Sequence, residues 1–281
     1  LEKFAYQQDG MRLPPRDEFA RYCIKMATGT GKTKVMALAI AWQYFNAVRE
    51  NDKEFAKTFL VIAPNVIVFD RLKMDFEGGI IFRKDPLFPK HFELFWDMDF
   101  YMRGDSERAN SEGALYLSNI QQFYERPIRR KTEEPEVLTT LLGDNPQINK
   151  LEVTDFDERI GRRDGLLMVL NDEAHHTHDE ENEWSNVIYK LHGKRTIAAQ
   201  LDYSATPRYS KGALFAWTVY DYPLKQAIVD NIVKRPIKGI TKIQEARSDI
   251  ASVRYASFLI AAVERWREYS KQLNPLGKKP I

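Results

Sequence analysis

Three short stretches of this sequence carry the residue types that chemistry on a phosphate needs. The first is MATGTGKT, Met26–Thr33. Backbone N–H groups in a glycine-rich turn can converge on phosphate oxygens, because glycine lets the chain turn sharply and approach closely. Gly29, Thr30, Gly31 and Lys32 supply those groups here; the Lys32 ammonium can reach the outer phosphates and the Thr33 hydroxyl can ligate magnesium. A strand-like run precedes the loop and a helical pattern follows it. That is the context in which a helix N-terminus adds positive charge beside an anion. Where the strict form of the loop begins with glycine, this chain has Met26. The competing reading is a Gly/Thr-rich turn with no ligand.

The second stretch is LLMVLNDEAHH, Leu166–His176, an apolar run that ends in two adjacent carboxylates. Asp172 has the chemistry of an outer-shell magnesium partner, and Glu173 that of a base that holds and deprotonates an attacking water. An acidic first turn of the next helix, stabilised by the helix dipole, is the competing reading. The third stretch is SATP, Ser204–Pro207, which closes another apolar run. His175, His176 and His178 stand close to Asp179, Glu180, Glu181 and Glu183. Imidazole and carboxylate suit zinc or manganese. The spacing matches no metal-hydrolase signature, so a solvated helix start is the plainer reading.

The elements that must position these residues are legible as an alternation of short apolar runs and helical patterns. Arg21–Met26, Thr58–Ala63, Ala114–Leu117, Leu166–Leu170 and Thr196–Tyr203 read as strands, and Phe92–Trp96 as a possible further one. Helices are expected from the phosphate loop to Phe45, over 65–76, and over Trp184–Leu191. This order predicts an α/β fold, a parallel sheet covered by helices on both faces. Right-handed crossovers put the strand-end loops on one edge, where such sheets bind their ligands.

Gln121–Gly165 is polar and contains Pro127, Pro135 and Pro146, so about 121–165 reads as a surface insertion within a domain spanning 1–240. Residues 241–281 read as a linker with a long amphipathic helix, roughly Ser252–Gln272, and the start of a second lobe. The 281 residues are 43% hydrophobic and 12% aromatic, enough for a substantial core, which excludes a disordered chain. A net charge of +2 neither requires nor excludes a nucleic-acid partner, which depends on charge gathered on one face. The single cysteine, Cys23, rules out an internal disulfide framework. No apolar run approaches the length of a membrane span. A cytoplasmic, membrane-free protein is therefore expected. The N-terminus lacks an initiator Met and reads as cut from a longer protein.

TGTGKT, DEAH and SATP, in that order and separation, resemble motifs I, II and III of superfamily-two helicases. CIKMATGTGKT, LNDEAHHTHDE and DYPLKQAIVDNIVKRP resemble the helicase subunit of type III restriction enzymes, over roughly residues 17–240. The resemblance implies a RecA-like P-loop NTPase, the first lobe of a two-lobe motor that hydrolyses ATP with Mg2+ and moves on double-stranded DNA. It also implies a second RecA-like lobe, often a nuclease domain, and a methyltransferase subunit as partner. It assigns ATP contacts to Thr28–Thr33 and Asp172, magnesium to Thr33 and Asp172, and catalysis to Lys32, Glu173 and His175. Ser204 and Thr206 would couple nucleotide state to nucleic-acid grip through His175. Pro64 and Asn65 of VIAPN, and Ser118 and Asn119 of YLSN, would touch a strand's phosphates. For Asn65 and Asn119 helix capping competes with that role.

Gln7 and Gln8 are weak candidates for reading adenine. Arg129, Arg130, Lys131, Arg162 and Arg163 could face DNA, or simply belong to a solvated loop. Arg208 is a local candidate for an arginine that completes the site, although a surface turn suits it better. The rivals to this reading are another DEAD/DEAH-box helicase acting on RNA, a nucleotide-gated binding module without turnover, and a metal-dependent hydrolase.

Overall fold

A computed structural model of the chain describes residues 18–84, 87–102, 105, 111–119, 156–176, 183–208, 212, 214–235 and 246–278. In chain order the elements are β1 (Ala20–Met26), α1 (Lys32–Val48), β2 (Ala56–Ala63), α2 (Val66–Phe76), α3 (Ile80–Lys84), β3 (Met98–Tyr101), β4 (Gly113–Asn119), α4 (Phe156–Arg162) and β5 (Leu166–Asn171). They continue with α5 (Glu183–Lys194), β6 (Ile197–Ser204), β7 (Thr218–Tyr222), α6 (Leu224–Val229), α7 (Ala251–Arg254) and α8 (Ala256–Leu273). Contacts divide the chain into two compact units, Leu1–Val233 and Lys234–Ile281.

The first unit holds one sheet in the order β3-β4-β2-β5-β6-β1-β7. Every neighbouring pair runs parallel. The central strands are apolar throughout because both faces are covered. Phe59, Val61 and Ala63 of β2 belong to one core with Met36, Ile40 and Tyr44 of α1 and Phe69, Leu72 and Phe76 of α2. Leu60 and Ile62, one residue out of step, belong to the other with Phe156 and Ile160 of α4 and Ile188 and Leu191 of α5. This period-two division fixes the register, since a one-residue slip would exchange the two faces.

Register also levels the carboxyl ends. Lys25 pairs with Ser204, Asn171 with Ile62 and Asp202, and Ala63 with Asn119. The loops that leave β1, β5, β6, β2 and β4 therefore start from one edge.

Three expectations need correction. Phe92–Trp96 is not a strand: Lys90–Phe95 forms a 3-10 turn, and the edge strand is β3 instead. Phe92 and Trp96 pack their rings against Phe45 at 4.9 and 5.5 Å, and this apolar packing is what made them look strand-like. The end of the expected insertion is only partly surface: Glu158 and Arg162 are exposed, but other residues pack inward. Phe156, Arg159 and Ile160 of α4 are buried, and Arg159 lies over the Tyr101 ring at 4.6 Å. Arg163 donates to Ser111 O at 2.9 Å and to the Tyr101 hydroxyl at 3.3 Å, so it is engaged inside the fold. The rest of the insertion, with Arg129, Arg130 and Lys131, lies outside the described residues, as do Gln7 and Gln8.

The second unit is α7 and α8, separated at Tyr255 where the sequence suggested one helix. Neither helix buries a residue. No helix among the described residues is long and apolar enough to cross a membrane.

Candidate functional site

The loop after β1 turns through Gly29 (φ 81°) and Gly31 (φ 90°), left-handed backbone that glycine adopts without strain. A Cβ on Gly31 would meet nothing within 4 Å, so the space beside the loop is open. Thr30 braces the turn: its hydroxyl donates to Ala27 O at 2.6 Å. Helix α1 begins at Lys32 with no side-chain cap at its start. Its first N–H groups are thus left for an anion.

The loop after β5 starts with Asp172, whose N–H donates to Ile62 O at 2.9 Å and whose side chain is out of solvent. Glu173 follows with φ 47°, an uncommon conformation for a side-chain-bearing residue. That turn brings Glu173 Oε1 within 2.9 Å of Lys32 Nζ, the two side chains being 17% and 7% exposed. Two stretches 141 positions apart by their residue numbers, 32 and 173, therefore meet as an ion pair largely out of water. Burial, and then the neighbouring Glu173 charge, push the Asp172 carboxyl above the usual carboxylate range, while Arg71 and Lys32 pull it down.

β6 supplies the third part. Ser204 Oγ lies 2.9 Å from His175 Nδ1 and accepts the Thr206 N–H at 3.0 Å. His175 Nδ1 is in turn 3.7 Å from Glu173 Oε2. One polar chain thus runs Lys32, Glu173, His175, Ser204, Thr206 across the ends of three strands. Below it, Asp202 of β6 accepts from Asn171 Nδ2 at 2.6 Å and Gln200 Nε2 at 2.9 Å, and pairs with Arg21 of β1 at 2.9 Å. This buried network holds β5, β6 and β1 in register beneath the loops. Cys23, beside it in β1, is buried and its thiol is pushed up to about 12 by that burial.

The other candidates sit on the neighbouring strand ends. Pro64 and Asn65 are partly exposed after β2, and Asn65 Oδ1 accepts the Val68 N–H at 2.9 Å as the N-cap of α2. Ser118 and Asn119 belong to β4 itself and are buried. Arg208 donates to Gly212 O at 2.7 Å within its own turn. His176 closes the turn after Glu173, and His178 lies outside the described residues. Among the described residues no group of three or more His, Cys, Asp or Glu converges to hold a metal.

Two parts of the site escaped sequence reasoning. Arg71, in the middle of α2, bonds Asp172 Oδ2 through Nη2 at 2.5 Å. β7 pairs with β1, and Tyr222 O accepts the Ala27 N–H at 3.0 Å, which ties down the start of the phosphate loop. After α6 the chain returns so that Val233 Cγ2 stands 3.7 Å from where a Cβ on Gly29 would lie. The alternation in TVYDY and the Pro223 that opens α6 were the available signals.

A parallel sheet with this loop and this acidic strand end on one edge defines a RecA-like P-loop NTPase domain. Over residues 2–209 the chain matches the family of the type III restriction enzyme, res subunit, and it belongs to that family. It carries that family's helicase-like, ATP-dependent motor domain. A comparison with curated proteins gave no match.

Proposed function

We propose that this domain binds ATP with magnesium, hydrolyses it, and uses the cycle to move along double-stranded DNA as the first of two RecA-like lobes in a type III restriction enzyme subunit. The observation that carries the hydrolytic part is the 2.9 Å approach of Lys32 Nζ to Glu173 Oε1. It brings a phosphate-binding cation and a candidate base to one point at the end of the sheet, where a bound nucleotide would take Lys32 as its own partner.

The residues present fit the nucleotide and its metal. The space beside Gly31 is open, and the Thr33 hydroxyl and Asp172 carboxylate are the hard oxygen donors that suit magnesium. Magnesium held by Thr33 and Asp172 would offset charge on the phosphate oxygens. Lys32 holds the outer phosphates and Glu173 accepts the proton of the attacking water. His175 passes the position of Glu173 to Ser204 and Thr206. Pro64 and Asn65, more exposed than Ser118 and Asn119, are the better placed to meet a strand's phosphates, and a phosphate contact there carries no sequence information.

The DNA part draws on the family's description as a restriction enzyme subunit. A second lobe, a nuclease domain and a methyltransferase subunit belong to the same proposal. The test is steady-state ATPase activity of the protein with duplex DNA, single-stranded DNA and RNA, each at several salt concentrations. Stimulation by duplex DNA that weakens as salt rises is expected. Equal stimulation by RNA would replace the DNA reading, and ATP binding without turnover under any condition would reduce the domain to a nucleotide-gated module.

A further inference from the structure

We propose that Arg71 is an exchangeable counter-ion for Asp172, one that yields this carboxylate to a divalent cation and so sets how much magnesium the site requires. The inference rests on reading Asp172 as the carboxylate that takes magnesium.

The two partners differ sharply in exposure. The Asp172 side chain is 0% exposed and the Arg71 side chain 49%. A carboxylate out of water needs a partner for each oxygen. Oδ1 accepts the Glu173 N–H at 3.0 Å, and Oδ2 is taken by the Arg71 guanidinium at 2.5 Å. Arg71 is thus the group that neutralises Asp172, and half of it already lies in water. A long, permanently charged side chain in that position can let go of the carboxylate and be rehydrated with little other rearrangement.

The neighbouring pair gives the contrast. Lys32 pairs with Glu173, and phosphate oxygens offer Lys32 another anionic partner. Arg71 comes from α2, where Phe69, Leu72 and Phe76 are buried and Asp70 is exposed. Its alternative to Asp172 is solvent. A divalent cation on Asp172 and the guanidinium on the same carboxylate would be like charges a few ångströms apart, so the two exclude one another. Competition of this kind has a definite sign. Removing Arg71 must lower the magnesium concentration at which the carboxylate is taken. Were Arg71 a positioning residue that holds Asp172 in the productive rotamer, its removal would raise that concentration.

The experiment measures binding of a fluorescent ATP analogue to the protein across a magnesium series, for the wild type, Arg71→Gln, Arg71→Lys and Lys32→Ala. The half-saturating magnesium concentration should fall by about fivefold or more in Arg71→Gln, the size of a typical coupling between sites. Arg71→Lys keeps the charge on a single-point donor and should fall between Arg71→Gln and the wild type. Thermal melting gives a second readout. Magnesium with the analogue should raise the melting temperature of Arg71→Gln by more than that of the wild type, because Asp172 has lost its counter-ion. An unchanged or raised magnesium requirement in Arg71→Gln overturns the proposal. If that variant does not fold, Arg71→Lys decides by the same criterion. Lys32→Ala separates the two failures: if it binds the analogue as the wild type does, the nucleotide site itself is wrongly placed, whatever Arg71 does.

Discussion

The carboxyl ends of β1, β5 and β6 and those of β2 and β4 lie on the same edge of the same sheet, yet they are stabilised differently. The first group is charged, and its carboxylates are largely out of water. Lys32 bonds Glu173, Arg71 bonds Asp172, and His175 bonds Ser204. The second group is neutral: Asn65 caps α2, and Ser118 and Asn119 finish β4 as buried strand residues. A buried charge must find a partner, so its residue types and spacing are narrowly constrained. A helix cap can be Ser, Thr, Asp or Asn with small differences in stability. The charged region therefore announces its chemistry in the sequence, and the neutral one reads equally well as ordinary helix and strand termination.

Substitutions can break or sharpen this contrast. The largest effect is expected from Lys32→Ala, which removes the cation from the charged group. ATP hydrolysis should fall below detection, and circular dichroism should show the fold retained; turnover at the wild-type rate would remove the phosphate-loop assignment. Ser204→Ala is next. It takes away the partner of His175 and the acceptor of the Thr206 N–H. Stimulation of hydrolysis by DNA should drop about tenfold more than the basal rate, within the usual range for coupling between two sites. An equal loss of both would make Ser204 a purely structural residue. The smallest effects concern Asn65. Asn65→Ala should destabilise the protein by about 1 kcal/mol through loss of the cap. Asn65→Asp keeps the cap and adds a negative charge, so stability should hold while DNA affinity falls several-fold. Unchanged DNA affinity in both variants would leave Asn65 as a cap alone.

The same contrast explains how far the sequence could be read. The central strands were legible because burial on both faces demands continuous apolar runs, as in TFLVIA and LLMVL. Lys32, Asp172 and Glu173 were legible because their spacing relative to strand and helix is fixed by the phosphate they would serve. β7 was not, since its central residues are exposed and its pattern TVYDY is weak. Ser118 and Asn119 look like a stop signal, but parallel pairing with β2 carries the strand through them. Phe92–Trp96 has strand-forming residue types, yet ring packing against α1 takes them into a 3-10 turn. Arg71 could not be found at all: it pairs with a residue 101 positions away, and nothing local distinguishes it from a solvated helix arginine.

The central claim is that Glu173 is the base of a nucleotide site whose phosphate loop holds Lys32. The most direct measurement is single-turnover hydrolysis of ATP by Glu173→Gln beside the wild type, with ATP binding measured in the same samples at the same magnesium concentration. The amide keeps the shape of the carboxylate and cannot take a proton. Binding should persist within a few-fold while the chemical step slows by about two to four decades. A Glu173→Gln variant that binds and hydrolyses ATP at the wild-type rate would contradict the account.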